Sequence, residues 1–205
     1  MRTFKQYIEI NEWKYNSNSN IKKEFVYKFF PETYNELKEI IYDRYVKTPE
    51  ILDLNDIYTG NITSFGDMYD GEKTGSIYRF YGLFCQFSKV EIIDIRSWNT
   101  SKLTCTTNMF LLCEKLREIR GIENFNMKNV TYMNNMFEQC KSLERLDLSK
   151  WELNNQIKSA NNMFRTCTSL KELKGVEKWK NITFIKNTNM FDNIDKKLIP
   201  SWYKQ

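Results

Sequence analysis

Three observations on this 205-residue chain predict an α/β repeat solenoid, a short right-handed stack of coils behind an N-terminal helical cap. First, a Met-Phe pair recurs at Met109-Phe110, Met136-Phe137, Met163-Phe164 and Met190-Phe191, each 27 residues after the last. A fixed period of that length marks one supersecondary unit per repeat. Second, other positions hold the same phase: Cys113, Cys140 and Cys167 follow each Phe by three residues, and Leu116, Leu143 and Leu170 follow it by six. Third, each unit has two halves whose apolar residues recur with different periods, one helical and one strand-like. A single coil cannot cover its own apolar side, so consecutive coils must share a core and the two ends need caps.

In chain order, residues 1–50 form the expected cap. Its aromatic set, including Phe4, Tyr7, Trp13, Tyr15, Phe25, Tyr27 and Phe29, either covers the open end of the stack or anchors a partner. Pro31 is expected to open a helix running through Tyr45, with Leu37, Ile40 and Ile41 on one stripe. The repeats occupy 51–191, with an insert at about 66–82 that breaks their phase. In VTYMNNMFEQC, the spacing of Met133, Met136, Phe137 and Cys140 predicts a short helix with Thr131 as its N-cap. In SLERLDLSKW, Leu143, Leu146 and Leu148 follow the L-x-x-L-x-L pattern of a short strand. Large residues close the units at Trp98, Phe125, Trp151 and Trp179, and residues 192–205 make the C-terminal cap of one continuous domain.

The runs WNTSKLTCTTNMFLLCEKLREI, FNMKNVTYMNNMFEQCKSLERLDLSKW and MFRTCTSLKELKGVEKW resemble the BspA type of bacterial leucine-rich repeat, also known as domain of unknown function 285. PETYNELKEIIYDRY followed by LNDIYTGNIT resembles the helical leader that precedes such repeats, so the likeness covers about 31–191. GDMYDGEKTGSIYRFYG departs from the family pattern, and many members carry export signals that the first thirty residues here do not show. The resemblance implies a non-enzymatic binding scaffold and names no ligand.

Composition narrows the function further. The chain has no His, which excludes a hydrolase triad, a metalloprotease or a His-bearing zinc finger. No run of 18 apolar residues occurs, so no membrane span is expected. Five cysteines without a CxxC pair suit free thiols in the cytoplasm better than a disulfide framework. No cofactor is expected, because the Met-Phe column lacks polar partners. No metal is expected either, since Asp67, Asp70 and Glu72 do not match a calcium loop.

Two candidate binding regions remain. On the strands, one column reads Glu91, Arg117, Glu144, Lys171 and a second Asp94, Arg120, Asp147, Lys174, so acid and base alternate along both. With strands about 4.8 Å apart, each charge would lie between two opposite ones, fixing register and presenting a charge-patterned face. Arg117, Arg120, Arg145, Lys171 and Lys174 are its bases. The insert supplies Tyr69, Tyr78, Arg79, Phe80 and Tyr81, residue types enriched at interface hot spots. The expected function is stoichiometric protein binding. Its narrower form is a phage or mobile-element inhibitor of a bacterial defence enzyme. The alternative is nucleic-acid binding by a basic patch in the C-terminal half, where 20 basic residues face 13 acidic ones from Cys85 to Gln205. The interleaved acids disfavour it, because a phosphate-tracking surface needs aligned bases.

Overall fold

The computed structural model describes residues 27–66 and 82–204. The first rung is laid by Phe29, which bridges Ile57 in parallel, with Tyr58 N–H donating to the Phe29 carbonyl at 2.8 Å. One α-helix follows, α1 (Tyr34–Lys47). Pro31 does not open it: Thr33 is the N-cap, its hydroxyl accepting from the Glu36 amide at 3.2 Å. A side-chain acceptor satisfies an orphan amide of the first turn, which Pro cannot do. Leu37 and Ile41 are buried and Ile40 is half-buried, so α1 lays that stripe on the core.

Seven short strands follow among the described residues: β1 (Ile51–Asp53), β2 (Ile92–Asp94), β3 (Glu118–Arg120), β4 (Arg145–Asp147), β5 (Gln156–Ile157), β6 (Glu172–Lys174) and β7 (Thr183–Phe184). All pairings are parallel, in the orders β1-β2-β3, β4-β6 and β5-β7. Leu146 pairs with Leu173 across the 27-residue period, and Leu52 pairs with Ile93 across 41 residues, because the insert lies between them. The central residues Leu52, Ile93, Ile119, Leu146 and Leu173 point inward and are buried, as a period of two requires.

The opposite half of each repeat is not a helix. VTYMNNMFEQC runs as successive turns, because two residues per repeat adopt left-handed backbone: Asn108 and Leu112, Asn135 and Gln139, Asn162 and Thr166, Asn189 and Asn193, at φ between 52° and 61°. Such residues interrupt a right-handed helix. Alternate amides close local turns, as Met109 N–H to Thr106 O at 3.2 Å does, and the others reach the next repeat. Thus Asn108 N–H donates to Asn134 O at 2.8 Å, Phe110 to Met136 at 2.9 Å and Leu112 to Glu138 at 2.9 Å. Thr131 is no cap; its amide donates to Thr104 O at 3.0 Å.

Between the two sides runs an aromatic column. Phe84, Phe110, Phe137, Phe164 and Phe191 stack in succession, with centroids 5.2, 5.5, 5.7 and 5.4 Å apart. Each ring is buried. At the C-terminal end Tyr203 meets Phe191 edge-on at 4.9 Å and Trp202 stacks on Phe184 at 5.5 Å. Indole N–H groups pin one unit to the one before: Trp98 donates to Leu54 O at 3.1 Å, Trp151 to Ile122 O at 2.8 Å and Trp202 to Val176 O at 2.8 Å.

Candidate binding surface

In β3, β4 and β6 the first and last side chains turn outward, so β3 presents Glu118 and Arg120, β4 Arg145 and Asp147, and β6 Glu172 and Lys174. Arg117 and Lys171 stand one residue before their strands, beside Glu91 and Glu144. Ion pairs join neighbouring strands: Arg117–Glu91 at 3.7 Å, Arg120–Asp94 at 3.9 Å, Lys171–Glu144 at 3.2 Å and Arg145–Glu172 at 3.9 Å. Two more run along a strand, Arg120–Glu118 at 3.0 Å and Lys174–Glu172 at 2.5 Å. Reading the columns three residues apart misses Glu118 and Glu172. The strand period of two was the signal that would have found them.

The expectation that each charge lies between two opposite ones needs correction. Among the described residues no ion pair joins Arg117 to Glu144 or Arg120 to Asp147. The reason is that β3 and β4 share no ladder, so the spacing on which the alternation depends lapses there. The bases remain available nonetheless. The side chains of Arg117, Arg145, Lys171 and Lys174 are 65%, 76%, 67% and 57% exposed, and that of Arg120 is 40% exposed.

A network that sequence reasoning missed anchors the N-terminal end of this surface. Asp94 is buried and accepts from Asn55 Nδ2 at 2.7 Å, from Arg96 Nε at 2.9 Å and from an Arg96 terminal nitrogen at 2.6 Å. Burial alone would raise its carboxyl; the bonds from Arg96 and Asn55 overcome that and hold it below the ordinary aspartate value. Asn55 in turn accepts from the Ser97 amide at 2.8 Å. Nothing in the spacing of Asn55 and Asp94, 39 residues apart with the insert between them, betrays this contact.

The second candidate, with Tyr69, Tyr78, Arg79, Phe80 and Tyr81, lies outside the described residues, as do Asp67, Asp70, Glu72, Phe4, Tyr7, Trp13, Tyr15 and Phe25. Its stem is described. Gly66 and Gly82 form an antiparallel bridge, and Leu83 N–H donates to Phe65 O at 3.1 Å. The Thr107 and Asn108 carbonyls stand where a Cβ would lie on Gly66 and Gly82, so only glycine fits either side of the stem. The insert therefore leaves and re-enters the repeats at one point, on the turn side.

A family model described as Mycoplasma protein of unknown function, DUF285, matches residues 78–202, more than half of the chain. The chain belongs to the DUF285 family. No curated protein and no solved structure matches it. In this DUF285 repeat protein the in-phase cysteines are hydrogen-bonded core: the Sγ of Cys113, Cys140 and Cys167 donate to the carbonyls of Phe84, Phe110 and Phe137 at 3.0, 3.1 and 3.0 Å. Burial pushes the Cys167 thiol up to about 12 and the half-buried Cys85 thiol up to about 11, the reverse of what a nucleophilic thiolate needs. No described helix of the DUF285 chain is long and apolar enough to cross a membrane. Lys178, Lys180, Lys186, Lys196 and Lys197 are exposed at its C-terminal end, where Lys197 pairs with Asp195 at 2.9 Å.

Proposed function

We propose that this DUF285 protein is a non-enzymatic protein-binding scaffold, a short right-handed leucine-rich-repeat-like solenoid that holds a partner on its strand side and insert. The observation that carries the reading is the set of exposed bases, Arg145 and Lys174 on short hydrogen-bonded strands and Arg117 and Lys171 one residue before them. Side chains standing on a fixed backbone lose less entropy on binding than side chains on a loose loop. Arginine is also among the residue types that dominate interface energetics. The narrower form, an inhibitor of phage or mobile-element origin that blocks a bacterial defence enzyme, adds one demand. The partner must then be an enzyme whose activity falls in proportion to the scaffold added.

The test is capture from a bacterial lysate followed by titration of the purified partner against three proteins: wild type, the combined Arg117→Glu, Arg145→Glu and Lys171→Glu variant, and a Tyr78→Ala, Arg79→Ala and Phe80→Ala variant. One-to-one binding lost in either variant supports the reading. Equal binding by all three contradicts it. So does an oligonucleotide shift with a steep salt dependence that disappears when Lys178, Lys180 and Lys186 become Ala, which is the behaviour of a nucleic-acid binder.

A further inference from the structure

We propose that the strand side of the molecule opens and closes at one joint, between β3 and β4, about a hinge formed by the continuously bonded turn side. On the strand side the parallel ladder runs from β1 to β3, stops, and resumes from β4 to β6. Glu118 N–H donates to Glu91 O, and Arg120 O accepts from Ile95 N–H, so residues 118 and 120 bond to β2. Glu144 O accepts from Lys171 N–H and Leu148 N–H donates to Lys174 O, so residues 144, 146 and 148 bond to β6. The alternation of a parallel ladder therefore turns the backbone polar groups of Ile119, Arg145 and Asp147 towards the gap, where no strand pair joins them. Both charge columns lapse at the same place.

The sequence supplies the cause. The residue after the strand is Leu54, Ile95 or Leu148 in three units, and Gly121 or Gly175 in the other two. Those glycines adopt φ of +100° and +95°, and each donates its N–H to a glutamate two residues on, Glu123 at 3.1 Å and Glu177 at 2.9 Å. The chain then enters a 3-10 turn, Ile122–Asn124 or Val176–Asn181. Arg120-Gly121-Ile122-Glu123 and Lys174-Gly175-Val176-Glu177 lie 54 residues apart, two repeats, with Leu148 at the matching place in the unit between them. The second copy meets the C-terminal cap, where Trp202 bonds Val176 O as Trp151 bonds Ile122 O.

Across the same two units the turn side is unbroken, through the bonds from Asn108, Phe110 and Leu112 to Asn134, Met136 and Glu138. Outside the turn side the two units keep bonds that flank the strands, among them Ser142 N–H to Glu114 O at 3.1 Å, Trp151 Nε1 to Ile122 O at 2.8 Å and Lys150 Nζ to Asn124 Oδ1 at 3.3 Å. With no strand ladder between them, the more loosely joined side moves about the continuously bonded one. Arg117 and Arg120 stand on one bank of the joint, and Arg145, Lys171 and Lys174 on the other.

Pulsed electron-resonance distances between spin labels test this, in a Cys85→Ser background where the remaining four cysteines are buried. One pair, at Ile51→Cys and Lys174→Cys, spans the strand side. The other, at Thr63→Cys and Ile185→Cys, spans four rungs of the turn side, each joined by a backbone bond. All four sites are exposed. The strand-side distribution is expected to be broader, on the order of twofold. Equal widths would overturn the proposal. Hydrogen exchange on the unlabelled protein gives an independent readout: Ile119 and Arg145 amides should exchange at least ~100-fold faster than Arg120 and Leu146 amides. Equal protection would count equally against it.

Discussion

Asparagine sets the shape of the turn side. Asn135 donates from Nδ2 to Asn108 Oδ1 at 2.7 Å, and its own Oδ1 accepts from Asn162 Nδ2 at 3.0 Å, while all three hold left-handed backbone. Asn tolerates that conformation better than other side chains with a Cβ. Asn135→Ala should therefore cost about 2 kcal/mol, from backbone strain plus two lost hydrogen bonds, measured by urea unfolding. Thr166, β-branched and at φ +61°, is a misfit at the equivalent second position, so Thr166→Asn should raise stability by about 0.5–1 kcal/mol. The recurrence of these asparagines is plain in the sequence, yet their role is not. Apolar residues at helical spacing are served equally well by successive turns, and the spacing alone cannot separate the two. Two buried carboxyls give opposite pH dependences. Asp94 is held below its unfolded value, so its contribution is present above the ordinary aspartate range and lost as pH falls through the folded value. Asp94→Asn should flatten the acid limb of the stability curve. Glu138 is raised, by burial that its Arg165 partner at 3.1 Å only partly offsets, so its contribution is present at low pH and declines as pH rises through the folded value.

At the scale of elements, the caps and pins carry the load that a longer sheet would otherwise carry. Arg44 of α1 donates to the Asp53 carbonyl at 2.7 Å, pairs with Asp56 at 2.6 Å and lies over the Phe29 ring at 5.1 Å, tying the helix to the end of β1. Trp151→Phe keeps an aromatic ring but removes the indole donor to the Ile122 carbonyl, which retains the Phe125 N–H at 3.2 Å, and should cost about 1 kcal/mol in thermal or chemical unfolding. An unchanged midpoint would mean that the bond across the β3–β4 joint contributes nothing. The strands were legible because Leu143, Leu146 and Leu148 alternate around a buried centre. The start of α1 was misread because Pro31 is a strong local signal, whereas Thr33 is recognised only with Glu36 three residues on. The lapse in the charge ladder was hidden because residue type repeats every 27 positions, while backbone pairing depends on whether a glycine follows the strand.

For the whole molecule, the repeat period is the part of the fold most fully written in the sequence, since a Met-Phe pair at constant spacing admits few arrangements that bury every copy. The insert was legible as a break in phase, and its return at Gly82 restores the pairing of Ile51 with Ile92. Phe137 stacks between Phe110 and Phe164, and truncating it opens a void that neighbours in a close-packed column cannot fill. Phe137→Ala should cost about 3–5 kcal/mol, enough to unfold much of a protein of ordinary stability. Partner binding, by contrast, was legible only as a class, because a charged, half-paired face fixes no ligand. The most direct measurement is of nuclear Overhauser contacts between selectively labelled phenylalanine rings in solution. Contacts from Phe110 to Phe137 and from Phe137 to Phe164, with none from Phe110 to Phe164, are the expected result, whereas no contact between consecutive rings would contradict the account.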